Sequence, residues 1–201
     1  GHPEVEDGPV RLFDDLPLEA VVFANALEPK HRVEFGLYLV VEAEIKAQVD
    51  SLLARLELVG KPAPAFETVD LDGKSVALKE YRNKVTLLDF WATWCRPCVA
   101  ELPNVQAVYN KFRGRGFDVV GISLDDDAEA VREFVKDRKL PWRQIVNRTE
   151  KDKDIVALYG VEQIPSTFLL DGSGKIQRID LRGDNLEKAV ESLLPKSAAK
   201  P

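Results

Sequence analysis

Asp89-Phe90-Trp91-Ala92-Thr93-Trp94-Cys95-Arg96-Pro97-Cys98 is the stretch on which the fold turns. The apolar run at 85–90 leads into it and reads as a buried strand, and a helical pattern begins just after Cys95. Cys95 is therefore expected at a helix N-terminus, where unpaired N–H groups and the helix dipole stabilise a thiolate. Pro97 suits a first helical turn, because the N–H it lacks would be unpaired there anyway. Cys98 falls one turn in, on the same side and close enough to Cys95 to close a disulfide. The attacking thiol of such a pair should be exposed and its partner sheltered.

Two other uses of the pair fit less well. A zinc site takes about four ligands. Beyond the two cysteines the chain of 201 residues offers only His2 and His31 as histidines. A purely structural disulfide would close a very short loop and gain little by the loop-entropy model. A redox pair after a strand in an α/β pattern remains.

Working outward, the sequence from residue 65 alternates in period. Strands are expected at 65–69, 85–90, 117–124 and 167–170, with another at 142–146 after Leu140-Pro141. Helical patterns occupy 97–112, 128–138, 153–159 and 186–194. Asp171-Gly172-Ser173-Gly174 is a turn signal leading into 175–181, so the last two strands should form a hairpin. This succession predicts an α/β fold with a mixed sheet flanked by helices.

The first third differs. Residues 1–59 hold 12 of the 34 acids and 5 of the 28 bases, a net of −7, which leaves +1 for the remainder. Leu37, Val41, Ile45, Val49, Leu52 or Leu53, and Leu56 recur at helical spacing, with Glu42, Glu44, Lys46, Asp50 and Arg55 on the opposite face. A shorter helix is expected at 18–27. Neither could bury its stripe alone. Lys61-Pro62-Ala63-Pro64 reads as a hinge, because the prolines forbid helix continuation. The expected organisation is an acidic helical extension at 1–59, an α/β domain at 60–195 and a flexible tail at 196–201.

Composition excludes other classes. With 45% hydrophobic and 31% charged residues the chain is globular, not disordered. No apolar run approaches the roughly 18 residues of a membrane span. A net charge of −6 argues against a nucleic-acid partner. Gly1-His2, in a chain without methionine, reads as a processed or cut start, so a native signal peptide or anchor is expected to be missing.

With its flanks, the cysteine motif resembles the active-site stretch of thioredoxins. Glu101-Leu102-Pro103 and Gly160-Val161-Glu162-Gln163-Ile164-Pro165-Ser166-Thr167-Phe168 strengthen the likeness. Gly60-Lys61-Pro62-Ala63-Pro64-Ala65-Phe66 and Leu71-Asp72-Gly73-Lys74 are similar to the TlpA/ResA branch of thiol-disulfide oxidoreductases, grouped with AhpC/TSA-like proteins. The resemblance runs from about Gly60 to Leu194 and leaves the first third without a family.

The resemblance implies a thioredoxin-like fold and a role for each matched position. Cys95 attacks, helped by the charge of Arg96, and Cys98 resolves the mixed disulfide. Asp89 matches the buried acid that takes the proton of the second cysteine, although a capping or structural Asp also fits. Glu101, one turn beyond Cys98, matches a glutamate that tunes the thiols, although a solvated helix Glu also fits. The Ile164-Pro165 bond is implied to be cis and to lie against the disulfide, with Trp94, Arg96, Pro97, Ile164 and Pro165 forming the substrate edge. Trp91 and Trp94 also fit as ordinary core aromatics, but the place of Trp94 immediately before Cys95 favours the apolar rim around the thiol. Pro103 is implied to kink its helix.

Protein thiols or disulfides are the implied substrates, with a membrane-bound or soluble thiol as electron donor, no cofactor beyond the cysteine pair and no metal. The branch implies an extracytoplasmic, periplasmic or membrane-anchored reductase. The Arg-Pro dipeptide between the cysteines is neither the Gly-Pro of thioredoxins nor the Pro-His of strong oxidants, so the direction of electron flow stays open. Two further functions compete. A thiol peroxidase would carry Pro-x-x-x-Thr-x-x-Cys, yet Leu88 and Ala92 occupy those places and Thr93 is one out of register. A redox-sensing binding module would use the acidic extension to recruit a partner.

Overall fold

The computed structural model describes residues 27–147 and 154–195. The helix expected at 18–27 and the tail at 196–201 lie outside the described residues. Helix α1 spans Pro29–Leu56. The chain divides into two compact units between Asp50 and Ser51, within this helix. The apolar positions of the expected stripe, Leu37, Val41, Ile45, Val49, Leu52, Leu53 and Leu56, are 41–63% exposed rather than buried.

The second unit is built on a five-stranded sheet. Its strands are β3 (Val85–Trp91), β4 (Phe117–Ser123), β5 (Arg143–Val146), β6 (Ser166–Leu170) and β7 (Ile176–Ile179), in the order β5-β4-β3-β6-β7. β3 is central, parallel to β4 and antiparallel to β6. The helices are α2 (Arg96–Phe112), α3 (Ala128–Arg138), the single turn α4 (Ile155–Leu158) and α5 (Asp184–Leu193). This is the α/β sandwich with a mixed sheet that the alternation of periods implied.

All seven residues of β3 are buried, as a strand covered on both faces must be. Side chains alternate across a sheet. Val85, Leu87 and Trp91 join a core with Cys95, Cys98, Leu102, Val105, Val108, Leu186 and Val190. Leu88 and Phe90 join the opposite core with Val120, Ile122, Tyr159 and Phe168. Asp89 shares its parity with Leu87 and Trp91, so it points to the face that carries the cysteines. In the other core the rings of Phe90, Tyr159 and Phe168 lie 5.0–5.7 Å apart, at the tilted and edge-on angles that aromatic quadrupoles favour.

Some boundaries differ from expectation. The strand expected at 65–69 is only β1 (Glu67–Val69), and it pairs outside the main sheet with β2 (Ser75–Ala77), a strand too short to carry a period-two signal. The helix expected at 153–159 is the single turn of α4, capped by Asp154, whose carboxylate accepts from Ala157 N at 2.9 Å. Residues 61–64, expected to act as a hinge, are laced to the β6–β7 hairpin. Gly60 N donates to Ile176 O at 2.7 Å, Ile176 N to Lys61 O at 3.0 Å and Ala63 N to Gly174 O at 2.9 Å. Arg55, expected on a solvated face, instead donates from Nη1 to Ser166 Oγ at 2.9 Å and to Asp180 at 2.9 and 3.1 Å.

Candidate active site

The end of β3, the start of α2 and the loop before β6 meet at the cysteine pair. Cys95 and Cys98 form a disulfide with S–S 2.05 Å and Cα–Cα 5.3 Å. Cys95 is the N-cap of α2, and its Sγ accepts a hydrogen bond from Cys98 N at 3.3 Å, in the place usually taken by a capping oxygen. Pro97 lies in the first turn, as its missing N–H allows, and Pro103 sits inside the helix. Arg96 and Pro97 are exposed.

Cys98 is 3% exposed, sheltered as expected, but Cys95, expected to be exposed, is only 5% exposed, so in the disulfide both cysteines are covered. The cause is the apolar core around them, against which Ile164 also packs. The prominent group at the surface is Trp94, 65% exposed, and it is therefore no core aromatic. The Ile164–Pro165 bond is cis.

Asp89 is 5% exposed and sits opposite Gly121 of β4 and Thr167 of β6. Burial pushes its carboxyl up to about 7, the negative charge of Glu101 adds to the rise and Arg182 opposes it. Glu101 is half-buried and anchored rather than solvated. Its Oε1 accepts from Gly183 N at 2.7 Å and from Asn104 Nδ2 at 2.6 Å, which fastens α2 to the start of α5.

Two further residues hold the site, and no local motif announced them. Asp125, buried just beyond β4, accepts from Thr93 N at 3.0 Å, Thr93 Oγ1 at 2.6 Å and Ser123 Oγ at 2.7 Å. It fixes the loop between β3 and Cys95 and engages the hydroxyl of Thr93, the threonine that lies one place out of the peroxidase register. Arg182 follows β7 and donates from Nη2 to Pro165 O. In the sequence it is one charged residue among several at the strand-to-helix junction, between Asp180 and Asp184. Behind the site, Trp91 Nε1 donates to Gln144 Oε1 at 3.0 Å, and a Cβ at Gly121 would meet that oxygen at 2.0 Å, so a side chain there would displace the Gln144 amide from its bond to Trp91.

Chemically, the arrangement offers a reversible two-electron couple, a titratable carboxyl on the same face of the sheet and an exposed aromatic beside it. Among the described residues, no group of three or more His, Cys, Asp and Glu side chains is placed to hold a metal ion, and no helix is long and apolar enough to cross a membrane.

Comparison with known proteins agrees with this chemistry. The AhpC/TSA family model matches residues 59–179. Thiol-disulfide oxidoreductase ResA of Bacillus thuringiensis subsp. konkukian (strain 97-27) is 34% identical over 138 residues, 69% of this chain and 78% of that one. ResA of Geobacillus thermodenitrificans (strain NG80-2) is 30% identical over 140 residues, 68% and 79% of the two chains. Among solved structures, the thioredoxin domain of a thiol-disulfide oxidoreductase from Bacteroides vulgatus matches with TM-score 0.64 and 34% identity, over 68% of this chain and 98% of that one. A thiol:disulfide interchange protein from Bacteroides sp. matches with TM-score 0.63 and 33% identity, over 70% and 93%. The family-model match begins at residue 59.

Proposed function

Because the chain belongs to the AhpC/TSA family, as a ResA-like thiol-disulfide oxidoreductase with a thioredoxin-like fold, we propose that it reduces disulfides of protein substrates outside the cytoplasm, with Cys95 as the attacking thiol. The observation that carries this reading is the Cys95–Cys98 disulfide at the first turn of α2, beside a tryptophan that is largely in solvent. An exposed aromatic next to a thiol suits a macromolecular substrate, whose own apolar surface can cover it.

The reaction starts from the dithiol. The Cys95 thiolate, favoured by the helix N-terminus and by Arg96, attacks one sulfur of the substrate disulfide. A Cys95–substrate S–S bond forms and the substrate's other sulfur leaves as a thiolate. Cys98 gives its proton to the Asp89 carboxylate and attacks Cys95 Sγ. The Cys95–Cys98 bond forms, the mixed disulfide breaks and the second substrate thiolate departs. Two electrons pass from protein to substrate, and a thiol donor must return them. Ile164 and Pro165 with Trp94, Arg96 and Pro97 form the edge on which the substrate strand lies. The extracytoplasmic setting is supported by the ResA resemblance.

Insulin reduction tests the assignment. The wild-type protein is expected to reduce the insulin disulfides with a dithiol as electron source, and Cys95→Ser to lose this entirely. Retained activity in Cys95→Ser overturns the reading. A redox titration against glutathione decides the direction, because a potential well above that of glutathione would make the protein an oxidant.

A further inference from the structure

The segment 180–183, between β7 and α5, touches each part of the site in turn. Asp180 N donates to Thr167 O at 2.8 Å and Leu181 N to Thr167 Oγ1 at 2.9 Å. Thr167 is the residue directly opposite Asp89 in the β3–β6 register. Gly183 N donates to Glu101 Oε1 at 2.7 Å. Between these anchors Arg182 donates from Nη2 to Pro165 O, while its Nη1 is buried with no hydrogen-bond partner. A buried guanidinium N–H without an acceptor is unfavourable, so its retention calls for a reason.

Asp89, buried directly opposite Thr167, is the carboxyl on which Arg182 acts electrostatically. From α2 the groups that face it are Glu101 and the cysteine pair, and from the 180–183 segment it is Arg182. The neighbouring strands offer Gly121 and Thr167, neither of which titrates. Arg182 is thus the cation that opposes both burial and Glu101 at this carboxyl.

We propose that Arg182 is a positioning residue of the exchange reaction, its guanidinium coupling the carbonyl of Pro165 to the charge on Asp89 so that one side chain holds both the docking edge and the proton acceptor. The proposal rests on the reading of Asp89 as that acceptor. A guanidinium presents its donors in a rigid planar fork that reaches two sites in fixed geometry, whereas an ammonium is a point charge on a flexible stem. When the Asp89 carboxyl ionises, Arg182 stabilises it. When it is protonated, Arg182 still fixes Pro165.

The test compares wild type, Arg182→Gln, Arg182→Lys, Asp89→Asn and the Asp89→Asn/Arg182→Gln double variant by insulin reduction from pH 5 to 9, with thermal unfolding to verify folding. Arg182→Gln removes a cation, so the acid limb of the pH–rate profile is expected to move up by about one unit, which at pH 7 is about a fivefold loss of rate. Arg182→Lys is expected to return the midpoint close to the wild-type value while raising KM for insulin severalfold. In the Asp89→Asn background the limb should vanish, and Arg182→Gln should shift nothing.

A merely structural arginine would lower the rate equally at every pH. A folded Arg182→Gln protein with the wild-type midpoint overturns the proposal. Should that variant not fold, a wild-type KM in Arg182→Lys overturns it. If the wild-type protein itself reduces no insulin through Cys95, the functional reading falls. If it does so with a midpoint indifferent to Arg182, only the role of Arg182 falls.

Discussion

A carboxyl group in a protein core favours its neutral form unless donors or cations answer the charge. Asp89 is held to about 7 in the folded protein, chiefly by burial, against 3.8 for a free aspartate. The folded state therefore binds a proton more tightly than the unfolded chain, and stability falls as pH rises from about 4 to about 7. An aspartate at this position is thus unfavourable to the fold at neutral pH. Asp89→Asn should be more stable than wild type at pH 8, by on the order of a few kcal/mol, and nearly equal to it at pH 4. Urea unfolding at the two pH values measures this, and equal stability at pH 8 would show that Asp89 is not desolvated. The same variant should resolve mixed disulfides slowly. A companion expectation concerns the sulfurs: Cys98→Ser should accumulate a mixed disulfide with a substrate peptide, seen by mass spectrometry, because attack by Cys95 survives and resolution does not. Cys95 and Cys98 stood out by their spacing, and the cis Ile164–Pro165 bond was expected from the family resemblance, which is also what singled out Asp89 and Glu101. The covering of Cys95 was not legible, since the core that encloses it is assembled from segments distant in the sequence.

At the scale of elements, β3, α2, β4 and β6 follow from runs and periods that a single pass along the chain detects. β1 and β2 do not, because three residues are too few for a period and their pairing is fixed only by the chain reversal between them. Asp125 escaped for a related reason: Asp125-Asp126-Asp127 looks like a solvated acidic loop, yet the first of the three is 6% exposed and the third caps α3. The buried member ties the loop before Cys95 to the end of β4. Asp125→Asn weakens three acceptor bonds to one side chain and should cost about 1–3 kcal/mol, since hydrogen bonds to a charged group are worth about 1.5–3 kcal/mol each and an amide keeps part of them. Insulin reduction should slow as Thr93 and Trp94 lose their fixed position, while the pH midpoint stays put because Asp125 is not a proton carrier here. Denaturant unfolding together with the pH–rate profile separates the two effects, and a shifted midpoint would contradict this account.

For the whole molecule the open matter is where the catalytic unit begins. Charge and proline placed the division near residue 60, whereas the compact unit starts at Ser51. The nine residues between, 51–59, include the last six of α1, and these are not interchangeable with the rest of that helix. Ser51 Oγ donates to Gly160 O at 3.2 Å, and Arg55, with its side chain 13% exposed, pairs with Asp180 at 2.9 Å and with Ser166. Ser166 follows the cis proline and Asp180 precedes Leu181 and Arg182, so Arg55 braces the strand ends that carry the docking edge. Its charge made it look like a surface residue, and only the crossing of distant segments shows otherwise. A chain of residues 51–201 is accordingly expected to reduce insulin at close to the full-length rate. Residues 60–201 leave Asp180 without its cation and Ser166 without its donor, a loss of about 1–3 kcal/mol. At about 2–4 °C per kcal/mol for a domain of this size, the shorter piece should melt several degrees lower than the longer one. Arg55→Ala in the intact chain should reproduce most of that drop. If the two truncated chains melt together, Arg55 contributes nothing and the division belongs at the prolines. If both fail to fold while the full chain is stable, the first fifty residues are needed by the sheet, and α1 is part of the domain along its whole length.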